Sequence, residues 1–265
     1  RLRDAARQEN FLVGARLMSG VYPAQAAGQA YCAVAEACLR VAFEDTRAAF
    51  IADHGTIAGA QTVVLGLGRL GAGELTPSSD LDLILLYDRP EDASASDGRK
   101  SLDPVTWHIR FTQRLVAALT VPTRRGALGD AALQQRAETA IATILSRRRE
   151  PAKVAAAVLE MRALIAKEKG EKDGWDLKLA AGGLTDLDFL AQFLVLAHAH
   201  DHKGLLVPDT PAVFAAAREA GLLAPADAAA LTEAHRLIAD VQLWQRFTVE
   251  EAFDAASVPA RVLQR

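Results

Sequence analysis

Two aspartates, Asp80 and Asp82, are the most concentrated set of chemically active side chains in this sequence. They stand at the start of a short apolar run, Leu81 to Tyr87, which has the composition of a buried strand. Residues two apart on a strand point to the same face, so both carboxylates should project together, with Cβ atoms roughly 6–7 Å apart. That spacing suits two carboxylates that share a pair of divalent cations about 3.5–4 Å apart. The pattern therefore predicts a two-metal site.

A glycine-rich turn precedes this pair and follows an earlier apolar run, Val63 to Leu65. Gly66, Gly68 and Gly71 satisfy the G-x-G-x-x-G spacing of dinucleotide-binding proteins, but that fold needs a crossover helix, and Pro77 leaves no room for one. We expect instead a tight turn whose amides suit a phosphate chain that metal ions link to the carboxylates. Burying two unpaired aspartates would be costly, so a cation is expected opposite them. The alternative is a purely structural turn with aspartates at the strand end.

The composition is that of a folded protein of two or three structural units, since 265 residues with 51% hydrophobic content can bury a sizeable core. The formal net charge of -3 gives no general attraction to nucleic acid. We find no signal peptide and no membrane-spanning run, so we expect a cytoplasmic protein without a membrane partner. Cys32 and Cys38 would not face each other on a helix, which favours reduced thiols. A start at Arg1 without methionine favours a fragment of a longer chain.

Helical periodicity dominates the rest of the chain. It predicts helices within the first 53 residues, over 105–121 and over 131–169. Thr185 and Asp188 match a capping box, which predicts that a helix begins at this threonine. The predicted parts are an N-terminal helical segment (1–55), a catalytic core (56–128) and a helical bundle (129–265).

The glycine turn and the aspartate pair resemble the signature of the glutamine synthetase adenylyltransferases, a family within the nucleotidyltransferase superfamily that includes DNA polymerase β. These motifs resemble those of the adenylylating, C-terminal domain of that family more than those of its adenylyl-removing domain. The similar segments are Gly68-Arg69-Leu70-Gly71, Glu74-Leu75, Ser79 to Ile84, Tyr87-Asp88, Arg110 to Arg114, Leu119-Thr120, Thr123 to Leu128, Asp176 to Lys178, and Gly182 to Phe189 with Gln192.

This resemblance implies an α+β fold, with a polymerase β-like mixed sheet, flanking helices and a C-terminal helical bundle. It also implies transfer of AMP from ATP to a tyrosine of glutamine synthetase, with Asp80 and Asp82 as catalytic residues and as ligands of Mg²⁺. Glutamine synthetase is then the expected protein substrate, and a PII-type signal protein the expected regulator. The residues expected to bind ATP are Gly68, Arg69, Gly71, Ser79 and Lys178.

The resemblance fails at one place, directly after Leu128. In the family this position opens a strand that reads Tyr-Glu-Val-Asp and supplies a third carboxylate, which activates the attacking hydroxyl. Here the chain continues into Asp130, which looks like a helix N-terminal residue. We favour a segment missing from the sequence over a true deletion, which would leave the chain inactive.

Two other functions remain open from the sequence. The adenylyl-removing half of the family would share the metal pair and use phosphate to release AMP from modified glutamine synthetase. A regulatory module would bind nucleotide or a signal protein without chemistry, and this alternative gains weight if the third carboxylate is truly absent.

Overall fold

A computed structural model describes residues 2–77, 79–119, 128–169 and 176–248. The chain divides into two compact units, residues 1–140 and 141–265. The finer three-part division stays a prediction. Of the segments similar to the family, Thr120 and residues 123–127 fall outside the described residues. No helix in the described parts is long and apolar enough to cross a membrane.

The first unit begins with two helices that pack against each other, α1 (Leu2–Met18) and α2 (Ala24–His54). Both were predicted by the periodicity. Gly55 ends α2 with a φ of 71°, in the left-handed region that favours glycine. A Cβ at this position would lie 2.1 Å from the backbone nitrogen of Gly98, so the loop after the sheet closes directly onto the end of α2.

The sheet of the first unit is formed by β1 (Gln61–Leu67), β2 (Asp82–Asp88) and the short β3 (Leu128–Gly129). The strand order is β2-β1-β3, and β1 pairs antiparallel with both neighbours. A one-turn helix, α3 (Gly68–Gly71), joins β1 to β2. Antiparallel pairing excludes the dinucleotide-binding fold, which joins parallel strands through a crossover helix.

The fold class predicted from the sequence, α+β, is confirmed, because helices and a small sheet share the first unit. The mixed sheet expected from the resemblance is not formed by the described strands, whose pairings are both antiparallel. The nucleotidyltransferase topology itself stays a prediction.

An aromatic core holds α4 (Pro104–Leu119) onto α2 and the sheet. Trp107 and Phe111 lie one turn apart on the buried face of α4, and the Trp107 ring N–H donates to the Gly55 carbonyl at 3.0 Å. The Phe111 ring meets the Phe43 ring edge-on, with centroids 5.6 Å apart. The core residues are Leu39, Phe43, Phe50, Ile57, Val64, Trp107, Phe111 and Leu115.

In the described part of the second unit the regular elements are helical, as the periodicity predicted. α5 (Ala131–Leu145) crosses the boundary between the units. Residues 146–150 are not helical, and Pro151 starts the next helix. Leu187, Leu205 and Phe214 lie in the buried core of this unit. The helices after the break are α6 (Pro151–Lys169), α7 (Leu184–His198), a 3₁₀ turn (Lys203–Leu205), α8 (Thr210–Glu219) and α9 (Pro225–Thr248).

Candidate functional site

The aspartate pair lies where β2 begins. The strand starts at Asp82, so Asp80 precedes it rather than lying within it, as the sequence had suggested. Asp80 and Asp82 are both exposed, whereas Leu81 and Leu83 between and after them are partly buried. This alternation agrees with two carboxylates on one side of the chain. The expectation of a buried pair was wrong, because both aspartates are exposed to solvent. The cost of burying unpaired carboxylates is therefore no reason to expect a cation opposite them.

The glycines of the turn allow α3 to pack closely beside the second carboxylate. Gly68 has a φ of +57°, and a Cβ there would lie 3.0 Å from Oδ2 of Asp82. A Cβ on Gly66 would come within 2.6 Å of the Leu70 side chain, and one on Gly71 would lie 3.0 Å from the Gly66 carbonyl oxygen. Because each Cβ would be strained or crowded, the three glycines are explained by this turn rather than by a dinucleotide.

Ser79, which precedes the pair, closes a turn with Thr76. Its Oγ accepts from the Thr76 N–H at 3.0 Å and lies 2.7 Å from the Thr76 hydroxyl. The Ser79 N–H in turn donates to the Thr76 carbonyl at 3.1 Å. The hydroxyl and the N–H of Ser79 are thus both hydrogen-bonded within the protein, and contact of Ser79 with ATP stays a prediction. Sequence reasoning missed Thr76, although Thr-x-x-Ser spacing is typical of a side-chain-closed turn.

The arginines singled out by the sequence differ in their surroundings. Arg69 lies in α3, half-buried, and its carbonyl accepts from the Glu74 N–H at 3.0 Å. Arg114 is exposed on α4, and its guanidinium lies over the Phe50 ring, 5.6 Å from the centroid. That contact gives Arg114 a packing role that requires no phosphate.

The residues at the turn fit a divalent cation. Asp80 and Asp82 offer exposed carboxylate oxygens, the ligand type that Mg²⁺ prefers. Gly68 leaves open, beside Asp82, the space that a Cβ would fill. Over the described ranges of the chain, no group of three or more His, Cys, Asp or Glu residues could hold a metal ion. The described site therefore consists of a carboxylate pair.

Asp130, the acid nearest the expected third strand, has a structural role. Its Oδ1 accepts from the backbone N–H groups of Ala132 and Leu133 at 3.0 and 3.2 Å, which caps α5 as the sequence predicted. The same oxygen accepts from the Gln61 side chain at 2.9 Å. Because Gln61 begins β1 and the aspartate pair lies beside the other end of that strand, Asp130 does not join the pair.

A cavity of about 430 Å³ opens at the Gln61 end of the sheet and is lined in part by Trp107, His108 and Asp130. The ring of His108 is buried, stacks on Tyr87 with centroids 4.0 Å apart, and has a pKa lowered by burial. This cavity lies at the opposite end of β1 from the aspartates, so its size does not mark the candidate metal site.

Lys178 belongs to the second unit, in the turn that leads into α7. Its side chain is exposed, and its carbonyl accepts from the Thr185 N–H at 3.0 Å. A Cβ at Gly183 would lie 2.7 Å from the Leu177 carbonyl oxygen, so the second glycine of the pair is required for the turn to close. A contact of Lys178 with an ATP phosphate stays a prediction.

The predicted capping box is wrong. α7 begins at Leu184 after the N-cap residue Gly183, and no side chain caps it. Thr185 is already inside the first turn, so its hydroxyl is not placed to cap. Asp188 instead accepts from the Thr210 hydroxyl at 2.8 Å, which ties α7 to the start of α8.

Asp186, in the first turn of α7, reaches back to the residue before the N-cap. Its carboxylate accepts from the Gly182 N–H at 2.7 Å and forms an ion pair with Arg162 of α6. Burial alone would raise the pKa of the Asp186 carboxyl, but the hydrogen bonds from Arg162 and Gly182 hold it below its usual range. The carboxylate therefore fastens the turn before α7 onto α6.

Replacing Asp186 by asparagine is expected to lower the free energy of unfolding at pH 7 by about 1–3 kcal/mol, the usual contribution of charge-assisted hydrogen bonds. A depressed carboxyl pKa stabilises the fold above the unfolded-state value of about 3.9, and this stabilisation is lost as the pH falls through the lower folded-state pKa. Asp186→Asn should therefore flatten the acid loss of stability below about pH 4. Urea unfolding measured across pH tests this prediction, with substitution of an exposed residue, Glu233→Gln, as the control. An unchanged dependence of the unfolding free energy on pH in Asp186→Asn would contradict it.

Two protein families match the chain. The family model of glutamate–ammonia ligase adenylyltransferase matches residues 1–168, and that of GlnD PII-uridylyltransferase matches residues 154–251. The first match includes the aspartate pair and the glycine turn, and the second covers most of the described helices of the second unit.

Several curated proteins are similar to the chain and carry the name bifunctional glutamine synthetase adenylyltransferase/adenylyl-removing enzyme. Those from Rhodopseudomonas palustris and Xanthobacter autotrophicus are 38% identical over 300 residues and 39% identical over 307 residues. The one from Bradyrhizobium diazoefficiens is 37% identical over 299 residues. These alignments cover 96%, 98% and 96% of this chain, but the chain spans only 30%, 31% and 30% of the length of the relatives.

The alignment lengths also differ from the length of this chain. For the Rhodopseudomonas protein, 96% of 265 residues is about 254, whereas the alignment extends over 300 residues. The relative therefore carries roughly 46 residues in this region that have no counterpart here. This difference agrees with a segment that the family has and this sequence lacks.

Proposed function

We infer that this chain forms an AMP-transferring domain, because it belongs to the glutamate–ammonia ligase adenylyltransferase family. The proposed reaction moves AMP from Mg-ATP to a tyrosine hydroxyl of glutamine synthetase. The tyrosyl oxygen forms a bond to the α-phosphorus, the bond from that phosphorus to the β-phosphate oxygen breaks, and pyrophosphate leaves. The observation that carries this proposal is the exposed pair Asp80 and Asp82 beside the Gly68 turn, within the matched residues.

Each residue of the turn has a proposed role. Asp80 and Asp82 hold Mg²⁺ through their carboxylates, and the lack of a side chain at Gly68 keeps the space beside Asp82 open. Bound Mg²⁺ would supply charge neutralisation for the triphosphate and the leaving pyrophosphate. Arg69 and Gly71 of α3, together with Ser79 just before the pair, are proposed to line the ATP phosphates.

Lys178 is proposed to bind an ATP phosphate on the basis of its exposed ammonium group and its place in the family-like turn of the second unit. The backbone of that turn is closed by hydrogen bonds, including the one from Thr185 to the Lys178 carbonyl. A closed turn would present the lysine without further ordering of the backbone, which lowers the entropic cost of binding.

The described residues assign no base for the tyrosine proton, because no third carboxylate joins the pair over these parts of the chain. We propose that the base belongs to a segment that the relatives carry and this sequence lacks, and that this segment would follow Leu128. If that segment is a true deletion here, the chain would bind Mg-ATP and transfer AMP slowly or not at all.

Because no base for the tyrosine proton is assigned, two other functions remain as alternatives. The names of the relatives include adenylyl removal, and the same carboxylate pair could serve phosphorolysis of the tyrosine–AMP bond. A regulatory module that binds nucleotide without chemistry is favoured if the carboxylate pair proves insufficient.

The proposed partners follow from the family names. Glutamine synthetase is the protein substrate that those names specify. The match of residues 154–251 to PII-uridylyltransferase supports a role for the second unit in regulation by a PII-type signal protein. A cytoplasmic location, expected from the thiols of Cys32 and Cys38, belongs to the same proposal; both are buried and form no disulfide.

Transfer of label from α-labelled ATP to purified glutamine synthetase tests the proposal, with Mg²⁺ and with chelator. Label on a tyrosine only in the presence of Mg²⁺ supports the transferase. Phosphate-dependent release of ADP from adenylylated synthetase, without forward transfer, supports the removing activity. Binding of ATP without either reaction supports the regulatory module. A chain that neither binds ATP nor catalyses either reaction overturns the transferase, the removing activity and the nucleotide-binding module.

A further inference from the structure

Three described residues of the segment that leads into the aspartate pair are buried, although the aspartates are exposed. Leu75 is 1% exposed, Thr76 is 3% exposed, and Ser79 is also buried. A segment of this kind takes its position from the elements beneath it, because a closely packed interior transmits displacements. The position of Asp80, the next residue after Ser79, therefore depends on what supports the turn.

That support includes α2, and Gly28 is the point of close approach. An ideal Cβ on Gly28 would lie 3.6 Å from the Glu74 Cα, from the Gly73 carbonyl oxygen and from the Leu75 carbonyl oxygen. Gly28 is itself buried in the second turn of α2, a position where glycine is unfavourable compared with alanine. The backbone of Gly73, Glu74 and Leu75, which leads into the Thr76–Ser79 turn, thus packs directly against the backbone of α2 at Gly28. The space between them would hold little more than a methyl group.

The two aspartates are held by different elements. Asp82 begins β2 and pairs with Leu67 at the end of β1, so the sheet fixes its backbone. Asp80 precedes the strand and follows the turn that Thr76 and Ser79 close through their hydroxyl groups. A shift of the turn away from α2 would therefore move Asp80 relative to Asp82.

We propose that Gly28 is a positioning residue for the metal-binding pair, with α2 setting the separation of the two carboxylates and so the affinity for a divalent cation. This inference rests on the proposed function, in which Asp80 and Asp82 bind Mg²⁺. It assigns α2 a role in the site in addition to its packing against α1 and α4.

A series of side chains at Gly28 tests the proposal in the full chain. The methyl group of Gly28→Ala would make ordinary van der Waals contact at 3.6 Å and should leave most of the affinity intact. Gly28→Ser and Gly28→Val add atoms beyond that methyl group, directed at the backbone of Glu74 and Leu75. We expect them to weaken Mn²⁺ binding in that order, by roughly tenfold to a hundredfold for valine, the usual loss when groups that orient metal ligands are disturbed.

The measurement is Mn²⁺ binding by electron paramagnetic resonance without nucleotide, which does not depend on transferase activity. Asp80→Asn with Asp82→Asn identifies the signal that belongs to the pair. Exposed Ala33→Val, on the same helix, is the matched control for a β-branched residue and should bind like the natural chain. Circular dichroism and thermal unfolding report whether each variant is folded.

Three results separate the possibilities. Weaker Mn²⁺ binding by folded Gly28→Val, with normal binding by Ala33→Val, supports the proposal. Normal Mn²⁺ binding by folded Gly28→Val overturns the positioning role and leaves the metal site intact. A natural chain that binds no Mn²⁺ through the aspartates overturns both. If Gly28→Val does not fold, Gly28→Ser decides.

Discussion

Replacing both Asp80 and Asp82 by asparagine is expected to reduce AMP transfer to glutamine synthetase by roughly a thousandfold. Metal stabilisation of a transferring phosphoryl group is worth several kcal/mol, and each 1.4 kcal/mol, roughly, is a factor of ten in rate. Asparagine keeps the size of each side chain but removes the charge that holds the cation. The measurement is the initial rate of label transfer from ATP at saturating Mg²⁺.

The double variant should remain folded, because both aspartates are exposed. Asp92→Asn, in the exposed loop after β2, is the matched control and should leave the rate unchanged. A double variant that transfers AMP at the natural rate would show that the reaction does not use this pair.

Replacing Phe111 by alanine is expected to lower the free energy of unfolding by about 3–5 kcal/mol, the usual cost of truncating a fully buried aromatic residue. Phe111 is 0% exposed, and its ring centroid lies 5.6 Å from that of Phe43 and 5.4 Å from that of Trp107. A loss of that size is a large share of the roughly 5–15 kcal/mol that stabilises a typical domain. Urea unfolding followed by circular dichroism measures it.

Phe11→Ala is the control for this substitution, since Phe11 on α1 is 73% exposed. Its removal should change the unfolding free energy by no more than about 0.5 kcal/mol. If Phe111→Ala were equally mild, the aromatic cluster could not be the element that holds α4 against α2.

Local patterns predicted the parts of this protein that depend on neighbouring residues. Helical periodicity predicted α1, α2 and α4, because a buried stripe recurs with the turn of the helix whatever it packs against. The turn at Gly68 and the common side of Asp80 and Asp82 were predicted from spacing, because both arise within a few residues along the chain.

Other expectations failed where a contact comes from a distant part of the chain. Asp188 was expected to cap its own helix, but Thr210 reaches it from the next one. Burial of the aspartates was inferred from an apolar strand, yet β2 is an edge strand of the described sheet and exposes its first residue.

The family, the order of the carboxylates and the conformations that glycine permits follow from the sequence, because each is encoded in residue types at short spacing. That Gly28 of α2 lies beneath Glu74 and Leu75 follows instead from the packing of the folded chain. No periodicity records that approach, since it depends on how a helix and a turn more than forty residues apart pack together. The pairing of β1 with β2 and β3 places Asp82 beside one end of β1 and Asp130 beside the other end, where Asp130 is a helix cap.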